Sequence, residues 1–187
     1  DWSSDVCSSD LEAVSYLFQE PRLLPWKTVK DNFDFVLTAI YPDAAERSAA
    51  ISRYLELVEL QDFADYYPVQ LSGGMKQRVA IARAFAYPSK LLLMDEPFKA
   101  LDMQLKYSLM ADFIELWEKD KRTVICVTHD LEEALYLGDR ICLFSSLPAK
   151  VHKEYLIDLP REGRKHHDPR LSEMRVELLS LLLGETP

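Results

Sequence analysis

The chain has 187 residues, 48% of them apolar, and a formal net charge of −9. That length and apolar content suffice for one domain, or one domain with a subdomain, around a real core. The acidic balance argues against nucleic acid as a partner, because neutralising its backbone needs a basic surface. The apolar runs fall well short of the ~20 residues that cross a bilayer, so any membrane association must come through a partner.

Residues 1–11 repeat the unit Ser-Ser-Asp, at Ser3–Asp5 and Ser8–Asp10, with neither helical nor strand period, and then give way abruptly to Glu12-Ala13-Val14. They read as a non-native leader, such as a translated adapter, and stand outside the fold reasoning. The expectation is that the native gene supplies a longer N-terminal region. Val14 to Phe18 is a short apolar strand, ending at Gln19 and followed by a loop at Glu20-Pro21, where proline disfavours a helix. From Thr28 to about Leu60 the period becomes helical, with Asp43 and Glu46 spaced as a reciprocal cap and Ile51, Leu55 and Val58 on one stripe. Residues of about 28–87 thus form an inserted helical subdomain.

Residues 88–160 read as an α/β core. Lys90–Asp95 and Thr123–Thr128 are apolar runs without alternation, the pattern of parallel strands covered on both faces. Leu105, Leu109, Phe113 and Leu116 make a helical stripe between them. Arg140–Phe144 is predicted as a further strand and Val151–Leu159 as a more exposed one. Residues 161–187 supply a polar loop and a last helix opened by Asp168-Pro169. Cys126 and Cys142 lie in apolar runs and read, with Cys7, as thiols of a reducing compartment, the first two buried.

Three segments carry chemistry. Leu91-Leu92-Leu93-Met94 leads into Asp95-Glu96, two carboxylates at the C-terminal end of a strand, where open α/β sheets bind ligands; alone, this pattern is as often a strand end meeting water. Ser72-Gly73-Gly74 precedes a long helical run. A helix start offers unpaired N–H groups and partial positive charge, and glycine lets an anion come close. Alone, it reads as an ordinary Ser-Gly cap. His129 follows a strand and precedes a helix opened by Asp130 with Glu133, whereas His152, His166 and His167 have no such context and read as surface. A phosphate loop of the form G-x-x-x-x-G-K-[ST] is missing: Gly73, Gly74, Gly138, Gly163 and Gly184 are the only glycines, and no two are spaced for it.

Taken together and in order, Phe18 to Trp26, Leu71 to Met75 with Gln77-Arg78 and Ala80 to Ala84, Asp95-Glu96-Pro97, Ala100-Leu101-Asp102 and Thr128-His129-Asp130 resemble the nucleotide-binding subunits of ABC transporters, ATP-driven motors of membrane transport. The resemblance runs from about Glu12 to the final helix, so residues 12–187 would be a partial ABC ATPase domain. It implies a P-loop NTPase-like parallel sheet flanked by helices, with the N-terminal strands and phosphate loop missing. It implies ATP and Mg²⁺ as cofactors. Glu96 would be the base toward the attacking water, with Asp95 and Gln19 at the Mg²⁺ and His129 at the γ-phosphate. Gln19 would sense both. Leu71, Ser72, Gly73, Gly74 and Gln77 would meet the ATP of a second subunit, and Asp102 would reach across the dimer interface.

Partners implied are that second ATPase subunit, a permease contacted near Gln19 to Trp26, and indirectly a solute-binding protein. The place implied is the cytoplasmic face of the cell membrane. Leu23-Leu24-Pro25-Trp26 and Asp130 to Leu135 resemble importers of the nitrate, sulfonate and taurine group. Two departures stand out: Lys99 occupies a position usually held by a small residue, and the adenine-stacking region is missing along with the phosphate loop. The chain as written is therefore expected to bind MgATP poorly and to hydrolyse it negligibly. An alternative is a non-catalytic half-site module that lends Ser72–Gly74 to a complete partner. A nucleic-acid-linked ABC ATPase would need long coiled coils where only residues 20–70 intervene.

Overall fold

Two sheets divide the chain. The computed structural model describes residues 14–99, 101–145, 148–161, 164 and 168–183, and these fall into two compact units that meet in the chain at Val127/Thr128. Residues 1–13, Cys7 among them, and Ala100, His166 and His167 lie outside the described residues.

The first unit holds β1 (Val14–Leu17), α1 (Val29–Leu37), α2 (Ala44–Leu57), α3 (Gly73–Ala86), β2 (Leu91–Asp95), α4 (Met103–Lys119) and β3 (Thr123–Val127). The strands form a parallel sheet in the order β1-β2-β3, with Leu17 beside Met94 and Asp95 beside Val127. Parallel neighbours need crossovers, and here α1, α2 and α3 lie between β1 and β2 while α4 links β2 to β3. One face is a packed core: Leu17, Leu92 and Met94 are buried, and α3 packs against β1 and α4. Phe113 on α4 meets Phe85 of α3 edge-on at 5.4 Å between ring centres and Phe98 at 6.5 Å, the T-shaped geometry aromatic quadrupoles favour.

The other face corrects an expectation. The strands predicted to be covered on both sides are covered on one: Val14 and Tyr16 keep 44% of their exposure, Ile125 53% and Val127 60%. These side chains share a face by register, since Tyr16, Leu93 and Ile125 align across the three strands. The helices of this unit bury the opposite face, so this one stays in water.

Between β1 and β2 the reciprocal cap is found at α1. The Thr28 hydroxyl accepts from the Asp31 N–H at 3.2 Å, and the Asp31 carboxylate accepts from the Thr28 N–H at 3.4 Å. At α2 the Asp43 carboxylate instead takes both the Ala45 and Glu46 N–H groups at 2.9 Å, and Ile51, Leu55 and Val58 are buried as the stripe predicts.

The second unit pairs β4 (Arg140–Phe144) antiparallel with β5 (Val151–Leu156) and adds α5 (Leu131–Leu137) and α6 (Pro169–Leu183). Leu135, Tyr155, Ile157, Leu171 and Leu178 form its core. The strand predicted to run to Leu159 stops at Leu156, and Ile157 turns into that core. Cys142 is exposed and Cys126 only partly buried, so neither is the buried thiol expected from its apolar run. The alternation of β4 puts Arg140, Cys142 and Phe144 on a face open to water. Among the described residues no helix is long and apolar enough to cross a membrane.

Candidate functional site

The chain leaves β2 through Asp95 into a tight turn. Asp95 is exposed, and Glu96 has a φ of 45°, a left-handed conformation that costs a non-glycine residue about 1 kcal/mol. Two backbone bonds hold it: the Glu96 N–H donates to the Val127 carbonyl at 2.8 Å, and the Lys99 N–H donates to the Glu96 carbonyl at 3.2 Å. The Lys99 ammonium is ion-paired with the Glu96 carboxylate, which keeps 23% of its side-chain exposure. Gln19 stands two residues beyond Leu17, and Glu96 two beyond its register partner Met94. Gln19, Asp95 and Glu96 therefore line the C-terminal edge of neighbouring parallel strands.

At the start of α3 the Ser72 hydroxyl accepts from the Met75 N–H at 3.2 Å, the cap expected of serine there. The two glycines then divide. Gly73 is exposed, and a side chain placed on it would meet nothing within 4 Å; on Gly74 the same Cβ would stand 2.7 Å from a methyl of Leu105. Gly74 is thus the close contact of α3 with α4, and Gly73 is the glycine open to an approaching group. Leu71, just before the cap, is buried. Gln77, one turn on and buried, donates its amide to the Pro97 carbonyl, which ties the front of α3 to the turn that follows the acid pair. Asp102 caps α4 by accepting from the Leu105 N–H at 3.0 Å. The same leucine thereby takes its backbone position from Asp102 and packs its side chain against Gly74.

Two further residues were not legible as site residues. Arg83 sends its guanidinium from α3 to the Pro21 and Arg22 carbonyls at 3.1 and 3.2 Å and to the Asn32 amide oxygen at 3.3 Å. Burial lowers its pKa, although an arginine keeps its charge throughout. Asn32 in turn accepts from the Leu24 N–H at 2.7 Å and donates to the Leu24 and Thr28 carbonyls at 3.2 and 2.9 Å. The segment after Gln19 is thus fastened to α3. The signal was available: Arg83 interrupts a run of buried residues, Val79 to Ala82 before it and Ala84 to Ala86 after it. Arg122 offered none. Its guanidinium donates to the Ala84, Phe85 and Tyr87 carbonyls at 3.2, 2.9 and 3.0 Å, capping α3 from far along the chain.

His129 belongs to the second unit and is exposed. Its neighbours order the turn: Thr128 donates its hydroxyl to the Glu133 carboxylate at 2.7 Å and accepts from the Asp130 N–H at 3.0 Å. Asp130 caps α5 through the Glu132 and Glu133 N–H groups at 2.8 and 3.3 Å. The first unit therefore gathers Gln19, Leu71, Ser72, Gly73, Gly74, Gln77, Asp95, Glu96 and Asp102, and His129 stands in the other.

Comparison with known proteins adds the context. The sequence profile of the family described as ABC transporter matches residues 1–99. The nitrate import ATP-binding protein NrtD of Synechocystis sp. is 40% identical over 176 residues, covering 90% of this chain and 66% of that protein. The aliphatic sulfonates import ATP-binding protein SsuB of Bacillus cereus is 42% identical over 164 residues, covering 88% and 64%. A solved dimeric structure of the ATP-binding cassette MJ0796, in a post-hydrolysis state with ADP and Pi, superimposes with a TM-score of 0.63 at 35% identity, covering 78% of this chain and 63% of that one. The chain thus spans a little under two thirds of the length of these relatives. It belongs to the ABC transporter family.

Proposed function

We propose that this chain is part of the ATP-binding and ATP-hydrolysing subunit of an importer, acting on a solute of the nitrate or sulfonate kind named in its relatives. The observation that carries the reading is the construction of one unit. An open glycine at a capped helix start and an acid pair at a strand end belong to the same unit, and Gln77 of that helix donates to the Pro97 carbonyl just after the acid pair.

The residues fit the cofactors. Magnesium prefers few protein oxygens together with phosphate and water; the exposed Asp95 carboxylate and the Gln19 amide oxygen on the adjoining strand end are such donors. Among the described residues no group of three or more His, Cys, Asp and Glu stands together that could hold a metal ion. The N–H groups at the start of α3, with space above Gly73, suit a phosphate. When bound, MgATP supplies the phosphoryl group and its charge-neutralising cation. Toward it Glu96 would accept the proton of the attacking water, and Asp102 with Ser72 to Gly74 would face the nucleotide of a second subunit; for His129 the family resemblance implies a contact with the γ-phosphate. Gln19 to Trp26, anchored by Arg83 and Asn32, meets a permease at the cytoplasmic face of the membrane, and a solute-binding protein delivers cargo to that permease.

The exposed sheet face of Val14, Tyr16, Ile125 and Val127 supports a longer working chain whose added elements, the phosphate loop among them, cover it. Two measurements test the reading. Isothermal titration of the chain as written should show no micromolar affinity for MgATP. In the assembled transporter Glu96→Gln should lower kcat about 10²- to 10⁴-fold with little change in nucleotide affinity; a rate within a few fold of the parent would remove Glu96 from the role.

A further inference from the structure

The turn after β2 carries a feature that the proposed chemistry does not require. Lys99 reaches back three residues to place its ammonium on Oε2 of Glu96, inside a turn already closed by the Lys99 N–H on the Glu96 carbonyl and pinned to β3 by the Glu96 N–H on Val127. The left-handed backbone of Glu96 sets where its side chain leaves the chain, and Lys99 is tied to that same turn by its own N–H.

We propose that Lys99 is a positioning residue that restrains Glu96, holding its carboxylate in an ion pair that must open before Glu96 takes a proton from water. The inference rests on the reading of Glu96 as base. A carboxylate offers its lone pairs either to a cation or to the proton it is to accept. Lys99 keeps 43% of its side-chain exposure, so the pair is partly hydrated and opens at modest cost. A serine at this position would leave the turn its backbone bonds and remove the restraint. Lys99 neither donates nor accepts the transferred proton.

The experiment has a structural arm and a kinetic arm, both on the full-length subunit in its assembled transporter. Treatment with a water-soluble carbodiimide should couple Glu96 to Lys99, seen by mass spectrometry as one peptide spanning both residues with the loss of one water. K99S should raise kcat about two- to fivefold, the range that a partly exposed ion pair supports, with KM for ATP unchanged, while K99R, which keeps the cation, should hold the parent rate. Absence of the coupled peptide, or a K99S kcat equal to or below the parent value, overturns the proposal. E96Q separates the levels: if it hydrolyses ATP as the parent does, the reading of Glu96 as base fails and the restraint has nothing to act on, even with the coupled peptide present.

Discussion

Adjacent residues of the same type do different work here, and Gly73 and Gly74 are the clearest case. Both stand in the first turn of α3, and both read from sequence as room for an anion. The space above Gly73 is open, whereas Gly74 is in contact with Leu105. Gly74→Ala should therefore destabilise the chain by about 1–3 kcal/mol through overpacking. Gly73→Ala should stay within about 0.5 kcal/mol of the parent, and urea denaturation of the pair of variants will show whether this order holds. Arg122 makes a second residue-scale case. Arg122→Met keeps much of the apolar stem and removes the donors to the Ala84, Phe85 and Tyr87 carbonyls. Buried acceptors left unpaired should lower stability by about 3 kcal/mol, measurable as a fall in the urea midpoint at constant slope.

Among the elements, α3 is the organiser of the first unit. Its front is tied to the acid turn by Gln77, its middle to the segment after Gln19 by Arg83, and its end is capped by Arg122. The second unit repeats the capping device at α5, where Arg164 is buried and donates to the Leu135 and Tyr136 carbonyls at 3.4 and 3.2 Å. There β5 and α6 are joined by polar contacts at Glu177, which receives the Lys153 ammonium and the Tyr155 hydroxyl, the latter at 3.0 Å. Those donors, Lys153 first, hold the Glu177 carboxyl below its ordinary value. A lowered carboxyl pKa contributes stability at pH above the ordinary value, and that contribution is lost as pH falls through the lowered one. The amides of residues 151–156 should thus lose urea resistance below about pH 4, near the ordinary glutamate value. Glu177→Gln should remove that part of the pH dependence, as amide NMR signals followed through urea at several pH values would show.

On the scale of the whole molecule the dominant fact is a parallel sheet with one apolar face in water. Val14, Tyr16, Ile125 and Val127 share that face, and uncovered surface of this kind associates. Replacing Ile125 and Val127 together by lysine should increase the monomeric fraction of the chain as written, read by analytical ultracentrifugation; an unchanged sedimentation profile would show that the face does not drive association.

Local signals made much of this architecture readable in the chain itself. Unalternating apolar runs marked β2 and β3, the stripe Leu105, Leu109, Phe113 and Leu116 marked the inner side of α4, where all but the partly exposed Leu105 are buried, and Ser72, Asp130 and Asp168 stood where helices begin, because strand and helix periods and caps act within a few residues. The order of the segments was enough to point to the family. Tertiary structure alone decided which glycine is open and which is packed, that β3 is covered on one face and Cys142 lies in the open, and that Arg122 and Arg164 close helices distant in sequence. Each of those depends on which surfaces meet after the chain has folded back on itself, and a contact between groups tens of residues apart leaves no period or spacing in the sequence to announce it.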